Sequence, residues 1–317
     1  MRGTPRPALC IGESLVDLIC ERPVESFEES DAFAPHLGGA ATNVAVHAAR
    51  DGARVALAGG AGDDPWGRWL QRRLREERVD LRFWRLLAGT ETAVAFAVLD
   101  RDAVPEFLIY GGGIEAAMVG LGPVLEEPVG AASSLVLGSN AMLGEAERRV
   151  SLRARTLALA RGAHVLFDWN LRLHRWRDAA EAINLGRLMC EGALLVKLNV
   201  GEATLLTGEA DPSRPAHAVC SLGARLALVT LGPEGALLRG EAVADAPGVP
   251  ARAVDTTGAG DALLGVVLAA LIRSRYDPAA VAEALPRAVA VAARVTETFG
   301  AVGPPSMVLA SGLTEGS

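Results

Sequence analysis

The sequence of 317 residues contains only four cysteines, few aromatic residues and no long apolar segment. No two cysteines have C-x-x-C spacing, which argues against a zinc site or a disulfide framework and favours buried thiols in a reducing compartment. The longest apolar run, residues 262–272, is too short to cross a bilayer. The net charge of −7 includes no block of one sign, so we expect neither nucleic acid nor an anionic membrane as a partner. These absences predict a cytoplasmic protein.

Two sets of phosphate-transfer motifs are also absent. The chain has no G-x-x-x-x-G-K-[ST] segment and lacks the H-R-D and D-F-G elements, which excludes P-loop kinases and protein kinases. The sequence is instead rich in small and aliphatic residues, and half of all residues are apolar. This composition suits the close packing of helices on a sheet in an α/β protein.

Short apolar segments alternate with helix-forming segments along the chain. Strands are predicted near residues 8–12, 54–58, 134–138, 164–168, 193–199 and 226–230. This rhythm is typical of βαβ units and predicts a parallel sheet with helices on both faces. Residues 13–37 and 90–112 have strand patterns without helical partners. Because a small sheet cannot bury both its faces alone, we expect these two insertions to form one sheet that covers another part of the molecule.

Residues 255–261 read D-T-T-G-A-G-D and precede an apolar helix-forming run. The glycines allow a tight turn in which the N–H groups of Gly258, Ala259 and Gly260 point to one place at a helix start, where an anion is favoured. A carboxylate at Asp261 beside a bound phosphate is placed to take a proton from an attacking hydroxyl. An anion cradle with an adjacent base is the minimum apparatus for phosphoryl transfer to an alcohol. The structural alternative is a glycine-rich turn in which Asp261 only favours the helix dipole.

This segment resembles the signature of the ribokinase-like (PfkB) sugar kinases. Residues 38–43 read G-G-A-A-T-N and are similar to the G-G-x-x-x-N element of that family, and further segments follow in the family's order from about Gly12 to Gly303. The resemblance implies a three-layer α/β/α core with a mostly parallel sheet and a small β-sheet lid made of the two insertions. It implies a single domain over residues 1–317, with ATP and Mg²⁺ as cofactors.

The resemblance assigns one group of residues to the sugar. Residues 12–17 are similar to the first strand of fructokinases and 2-keto-3-deoxygluconate kinases, in which an Asp accepts hydrogen bonds from sugar hydroxyls. Glycines let the backbone approach a ligand closely, an Asn offers both a donor and an acceptor, and an Arg offers a fork of donors to an anion. The implied substrate-binding residues are Asp17, Gly38, Gly39, Asn43 and Arg172.

A second group of residues, assigned to the nucleotide and the metal ion, lies at the ends of predicted apolar strands. Open α/β sheets bind ligands at that edge. Residues 168–172, 197–202 and 230–235 resemble the D-x-N-x-R, N-x-x-E and nucleotide-side elements of the family. Glu202 is implied to order Mg²⁺ through water, since magnesium keeps several waters when bound. Asp255 and Thr257 lie where family members bind a monovalent cation such as K⁺. The implied nucleotide-binding residues are Asn170, Lys197, Asn199, Glu202, Thr230, Gly232, Gly235, Gly258 and Gly260.

These features predict an ATP-dependent sugar kinase that phosphorylates a primary hydroxyl of a small sugar, with fructose as the first expectation. One departure bears on the substrate: Tyr110 in the expected lid is followed by Gly111 where fructokinases carry Arg. The arginine that ketodeoxygluconate kinases place nearby for the substrate carboxylate is missing too. A 2-keto-3-deoxygluconate kinase or a nucleoside kinase therefore stays open within the class, and a non-catalytic sugar-binding regulatory relative stays open outside it.

The expected lid also predicts an oligomeric state. A small sheet with an exposed edge or apolar face invites pairing with another chain. We therefore expect a homodimer formed through the lid.

Overall fold

The chain alternates between strands and helices, and the computed structural model describes residues 6–209 and 214–304. The strands are β1 (Ala8–Ile11), β2 (Leu15–Pro23), β3 (Ala34–Gly38), β4 (Val55–Gly62), β5 (Asp80–Leu87), β6 (Val94–Leu99), β7 (Pro105–Tyr110), β8 (Ser134–Gly138), β9 (His164–Asp168), β10 (Leu195–Asn199), β11 (Leu226–Thr230), β12 (Gly235–Gly240) and β13 (Ala244–Pro247). The helices are α1 (Ala40–Arg50), α2 (Pro65–Glu76), α3 (Gly113–Leu121), α4 (Glu126–Ala131), α5 (Glu145–Ala160), α6 (Ala179–Cys190), α7 (Val200–Thr207), α8 (Pro215–Ser221), α9 (Ala259–Arg273) and α10 (Ala279–Val295).

The larger sheet has the strand order β13-β12-β11-β10-β9-β8-β1-β4-β5. All neighbouring strands from β11 to β5 run parallel, and β12 and β13 add an antiparallel edge. Strand β1 is apolar and buried along its whole length, as expected for a central strand that is covered on both faces. The mostly parallel α/β core predicted from the sequence is confirmed.

Helices cover both faces of this sheet. Ala8 and Cys10 pack in one cluster with α1, α2, α9 and α10, whereas Leu9 and Ile11 pack in the other with α3 to α8. The division follows from the strand, because successive side chains point to opposite faces. Helix α9 is apolar on nearly every side because it lies between α1, α10 and the sheet. No helix in the described ranges is long and apolar enough to cross a membrane.

The remaining strands form a second, four-stranded sheet in the order β3-β2-β6-β7. Strands β2 and β6 pair in parallel, while β3 and β7 pair antiparallel on the outside. The small lid sheet expected from the two insertions is therefore confirmed. That residues 1–317 form a single domain stays a prediction, and residues 1–5, 210–213 and 305–317 lie outside the described part of the chain.

The sequence pattern does not predict β5 or β13. Strand β5 reads D-L-R-F-W-R-L-L, in which arginines interrupt the apolar alternation and an edge position leaves part of the strand solvated. Strand β13 has only four residues and ends in Pro247, which an edge strand tolerates. Both strands exist because a neighbouring strand supplies the hydrogen-bond partners, which is information that local sequence does not contain.

Candidate active site

The candidate residues meet at the carboxyl edge of the parallel strands, beside the small sheet. Asp168, Asn199 and Thr230 are the last residues of β9, β10 and β11. Asp261 lies in the first turn of α9. The site is therefore at the edge where open parallel sheets bind ligands, with a helix N-terminus aimed into it.

Asp261 is buried, and its Oδ2 accepts a hydrogen bond from Asn43 Nδ2 at 2.8 Å. Burial, followed by the negative charge of Asp168, raises the pKa of Asp261 to about 7, although Lys197 and Asn43 oppose the shift. A carboxyl group whose pKa lies near neutral pH is suited to general-base catalysis. Asn43 Oδ1 is also buried and has no hydrogen-bond partner among the described residues, so it is available to a ligand hydroxyl.

The turn before α9 needs glycine at two positions. Gly258 has a φ angle of 77°, in the left-handed region, and a β-carbon there would collide with Ala301. A β-carbon on Gly260 would lie 2.5 Å from Lys197 Nζ. The lysine ammonium therefore rests against the backbone whose N–H groups open the helix. Cation and N–H groups together favour an anion such as a phosphoryl group at this point.

Lys197 is held by a buried ion pair. Its Nζ lies 3.0 and 3.1 Å from the two carboxylate oxygens of Asp168, which is its register partner on the neighbouring strand. Burial alone lowers the pKa of Lys197, but the nearby carboxylates of Asp168, Asp261 and Glu202 outweigh it, so the pKa is raised. Burial also raises the pKa of Asp168, against the attraction of Lys197. The ammonium therefore stays charged in the site.

The sugar-side residues lie between β2 and the start of α1. Asp17 is buried, and a β-carbon on Gly38 would collide with its carboxylate. Gly39 has a φ angle of 101°, and a β-carbon there would collide with the Glu13 carbonyl oxygen. Burial, and then the charges of neighbouring carboxylates with Asp255 first, raise the pKa of Asp17 well above its ordinary value. Asp17 and the two glycines are thus packed closely beside the start of α1.

Asp255 and Thr257 lie just before the helix turn. Asp255 is fully buried, and its two oxygens accept hydrogen bonds from the N–H groups of Thr257 and Gly300, each at 2.8 Å. Thr257 Oγ1 is buried and finds no partner in the part of the chain that the structure describes. A carboxylate next to an unpartnered hydroxyl oxygen is a donor set that fits a hard monovalent cation.

The nucleotide-side residues are held by their own local bonds. Asn199 and Glu202 form a capping box at the start of α7, and Glu202 Oε1 also accepts a hydrogen bond from Leu171 N at 2.7 Å. Arg172 donates to Asn170 Oδ1 at 2.9 Å. Thr230, Gly232 and Gly235 frame the turn between β11 and β12.

A preformed metal cluster is absent from residues 6–209 and 214–304, where no group of three His, Cys, Asp or Glu side chains is placed to hold an ion. A single carboxylate can still serve Mg²⁺, because kinases hold that ion through one or two carboxylates and the phosphates of the substrate. Glu202 fits that role, because each carboxylate oxygen that accepts one N–H keeps a further lone pair for a magnesium-bound water.

The structure brings Asp261 and Gly260 of the signature into contact with Asn43 and Lys197, respectively. The turn after β11 lies at the end of the neighbouring strand. Sequence reasoning included Asp168 and Glu13 in family-like segments but assigned neither residue a role in the site. Asp168 ends the strand beside the one that carries Lys197, and Glu13 Oε1 accepts a hydrogen bond from Ala40 N at 2.9 Å at the start of α1.

The composition also singles out Lys197, which is a signal that sequence reasoning missed. Lys197 is the only lysine among the 31 basic residues of the chain. Every other position counted as basic is arginine, so this single lysine stands out in the composition. The contact between Lys197 Nζ and the backbone at Gly260 supplies a physical reason for it.

Comparisons with known proteins agree with this geometry. The sequence profile described as pfkB family carbohydrate kinase matches residues 7–307. Fructokinase-1 of Oryza sativa subsp. japonica is 32% identical over 307 residues, which is 95% of this chain and 95% of the relative. Aminoimidazole riboside kinase of Salmonella typhimurium is 31% identical over 298 residues, which is 92% of this chain and 89% of the relative.

Solved structures with the same fold bind sugars and nucleotides. Aminoimidazole riboside kinase from Salmonella enterica, complexed with aminoimidazole riboside and an ATP analogue, has a TM-score of 0.80 at 28% identity and covers 96% of this chain and 98% of its own. Fructokinase from Vibrio cholerae O395, with fructose, ADP and a calcium ion, has a TM-score of 0.80 at 26% identity with the same coverage of 96% and 98%.

The fold and the site together define a sugar phosphotransferase. The chain belongs to the pfkB family of carbohydrate kinases, and the family and enzyme class expected from the signature are confirmed.

Proposed function

We propose that this sugar kinase uses ATP to phosphorylate a primary hydroxyl of fructose. The observation that carries the proposal is Asp261, a buried carboxyl group with a pKa of about 7 in the first turn of a helix. Its charge interacts with the Lys197 ammonium, and Asn43 donates a hydrogen bond to it. Base and anion cradle are the minimum apparatus for phosphoryl transfer to an alcohol, and the cation adds stabilisation of the phosphoryl charge.

Each part has a defined role in the reaction. Asp261 accepts the proton of the attacking hydroxyl as the bond to phosphorus forms. The N–H groups of residues 258–261 and the Lys197 ammonium stabilise the negative charge on the transferring phosphoryl group. Asn43 fixes the Asp261 carboxylate through Nδ2 and offers Oδ1 to the sugar, while Asp17 and the backbone at Gly38 and Gly39 bind further hydroxyls.

ATP is proposed to lie across the ends of β9, β10 and β11, with Arg172 near its phosphates. Bound Mg²⁺ would neutralise part of the phosphate charge, and Glu202 would hold it through water. Asp255 and the hydroxyl of Thr257 would hold a monovalent cation such as K⁺ under the cradle. The residues proposed to contact the nucleotide are Asn170, Lys197, Asn199, Glu202, Thr230, Gly232, Gly235, Gly258 and Gly260.

The charge of the sugar side supports a neutral sugar. Glu13, Asp17 and Asp261 are buried together, and their mutual repulsion contributes to the raised pKa of Asp17. An additional carboxylate from an acidic keto sugar would be repelled there, and burying it without a cationic partner is costly. Arg172 is the candidate partner implied by the sequence, and its guanidinium donates to Asn170. Arg175 is a second cation on this side, since its charge interacts with Glu13.

A coupled assay of ADP formation with ATP and Mg²⁺ tests the substrate. We expect the highest kcat/KM with fructose, lower values with aminoimidazole riboside, and the lowest with 2-keto-3-deoxygluconate. A higher kcat/KM for ketodeoxygluconate would contradict the assignment and make Arg172 the carboxylate ligand. Sugar binding without ADP formation from any substrate would indicate a non-catalytic relative instead.

We also propose that two copies pair through the outer face of the small sheet. Leu108 and Tyr110 on the edge strand β7 are 42% and 59% exposed, which is unusual for large apolar side chains. The Tyr110 ring packs edge-on against the Phe96 ring, with 5.8 Å between the ring centroids, and Phe96 packs in the same way against Phe33, with 5.1 Å between the centroids. An exposed aromatic surface continuous with an open strand edge matches the needs of a symmetric sheet interface.

Replacing Tyr110 with Glu is expected to convert the dimer to a monomer, because a charge would be buried unpaired at the centre of the interface. Light scattering over a range of protein concentrations measures the change. Glu106→Gln serves as the control, since Glu106 is exposed on the same strand and the variant should still dimerise. A monomeric wild-type protein at high concentration would show that the lid does not pair.

A further inference from the structure

The hairpin turn of the lid contacts the loop that carries the catalytic signature. Thr256 donates two hydrogen bonds to one acceptor, the Ala103 carbonyl oxygen, from its N at 3.1 Å and from Oγ1 at 3.0 Å. Ala103 lies in the turn between β6 and β7 and is almost fully buried. One carbonyl of the lid therefore fixes both the backbone and the side chain of Thr256.

This turn is held rigid by a carboxylate. Asp100 Oδ1 accepts hydrogen bonds from the N–H groups of Asp102 and Val104, both at 2.9 Å, and Ala103 N donates to the Asp100 carbonyl oxygen. These bonds hold Ala103 at a φ angle of 60°, a left-handed conformation that alanine rarely adopts. A local cost of this kind persists where surrounding bonds enforce it, and it often marks a functional contact.

The lid touches the same loop at a second point. Phe299 packs against Ile19, Ala97 and Leu99 of the small sheet. The next residue, Gly300, donates its N–H to Asp255 Oδ2 at 2.8 Å. Two successive residues of the signature are thus connected to the lid, Asp255 through the segment after α10 and Thr256 through Ala103.

We propose that the β6–β7 turn positions the signature loop for phosphoryl transfer. Asp100 sets the Ala103 carbonyl, that carbonyl holds Thr256, and Thr256 fixes the approach of the chain to the N–H groups of residues 258–261. Asp100 and Thr256 are then positioning residues that do not touch the substrate. The lid that covers the sugar also completes the phosphoryl site, and this inference rests on the chemistry proposed above for Asp261.

Substitutions at the two ends of this contact test the inference. Thr256→Val removes the hydroxyl and keeps the shape, and Asp100→Ala removes the two side-chain hydrogen bonds that shape the turn. Each variant is expected to lower kcat about 10- to 100-fold with little change in KM for ATP, because small displacements of reacting groups have effects of this size. Thr256→Ser is expected to restore most of the rate.

Asp102→Ala is the matched control, since Asp102 lies in the same turn and its carboxylate accepts no hydrogen bond from any described residue.

The double variant Asp100→Ala/Thr256→Val provides the decisive readout. If both residues act through the Ala103 carbonyl, the double variant should be no slower than the slower single variant, because sites in one contact are not additive. Rate losses that multiply, or a wild-type kcat in Thr256→Val, would overturn the inference. Should Thr256→Val fail to fold, a wild-type kcat in Asp100→Ala would overturn it alone. A wild-type protein that forms no ADP with any sugar would refute the proposed function, whereas an active enzyme with normal variants refutes only the positioning role.

Discussion

Replacing Asp261 with Asn is expected to lower kcat by roughly 10²–10⁴-fold, the usual cost of losing a general base. Asn has nearly the same shape and can still accept the hydrogen bond from Asn43, so KM for fructose and ATP should change little. The loss should lie in kcat because the carboxylate acts in the transition state. Steady-state kinetics with the coupled ADP assay measures both constants, and near-normal turnover would refute the role of base.

The pKa of Asp261 adds two pH dependences to this prediction. In the wild-type enzyme kcat/KM should fall as pH decreases through about 7, because the base becomes protonated. The folded-state pKa lies above its ordinary value of 3.8, so the stability that the neutral form contributes is present below about pH 4 and is lost as pH rises through about 7. Asp261→Asn should therefore melt at a higher temperature than the wild type at pH 8 and at a similar temperature at pH 4.

A helix-capping aspartate elsewhere in the chain is the matched control. Asp178 caps α6, and its Oδ1 accepts a hydrogen bond from Ala180 N at 2.8 Å. Asp178→Asn is expected to cost about 0.3–1 kcal/mol of stability at most and to keep normal turnover. If Asp261→Asn behaves like Asp178→Asn, then Asp261 only stabilises its helix.

Replacing Lys197 with Met is expected to reduce both stability and activity. Asp168 would be left buried without its partner, which typically costs about 3–5 kcal/mol of unfolding free energy. Loss of one cation at the phosphoryl group is expected to lower kcat by roughly 10²–10³-fold. Lys197 also lowers the pKa of Asp261, so the acid limb of the pH profile should move to higher pH in the variant.

Two further variants separate these effects of Lys197. Asp168→Asn/Lys197→Met removes both charges and should recover much of the stability but not the activity. Lys197→Arg keeps the charge yet should still lose activity, because the guanidinium group does not fit against the backbone at Gly260. Chemical denaturation and steady-state kinetics measure the two properties. A fully active Lys197→Arg enzyme would contradict the idea that the single lysine of the chain is retained for its compact ammonium group.

The motifs at residues 38–43 and 255–261 could be proposed as functional from the sequence because their chemistry is local. Unpaired N–H groups at a helix start favour a nearby anion, and glycines within the motif let the backbone turn tightly there. The alternation of apolar segments likewise fixed the parallel sheet, since buried parallel strands need apolar residues on both faces. The two insertions without helical partners indicated the small sheet for the same local reason.

The pKa of Asp261, the ion pair of Lys197 and the contact between Ala103 and Thr256 could not be predicted. Each depends on residues that are far apart in the chain, and burial and charge interactions are set only when those residues pack together. Asp168 illustrates the difference: its position at a strand end is visible in the sequence, but its pairing with Lys197 follows from the register of β9 and β10. The sequence by itself determined the parallel core of the sheet, the small lid sheet and the glycine-rich turn proposed to bind the phosphoryl group. Only the tertiary structure decided which charges share the site and that the lid is hydrogen-bonded to the signature loop. Both depend on the distances between residues that lie far apart in the chain.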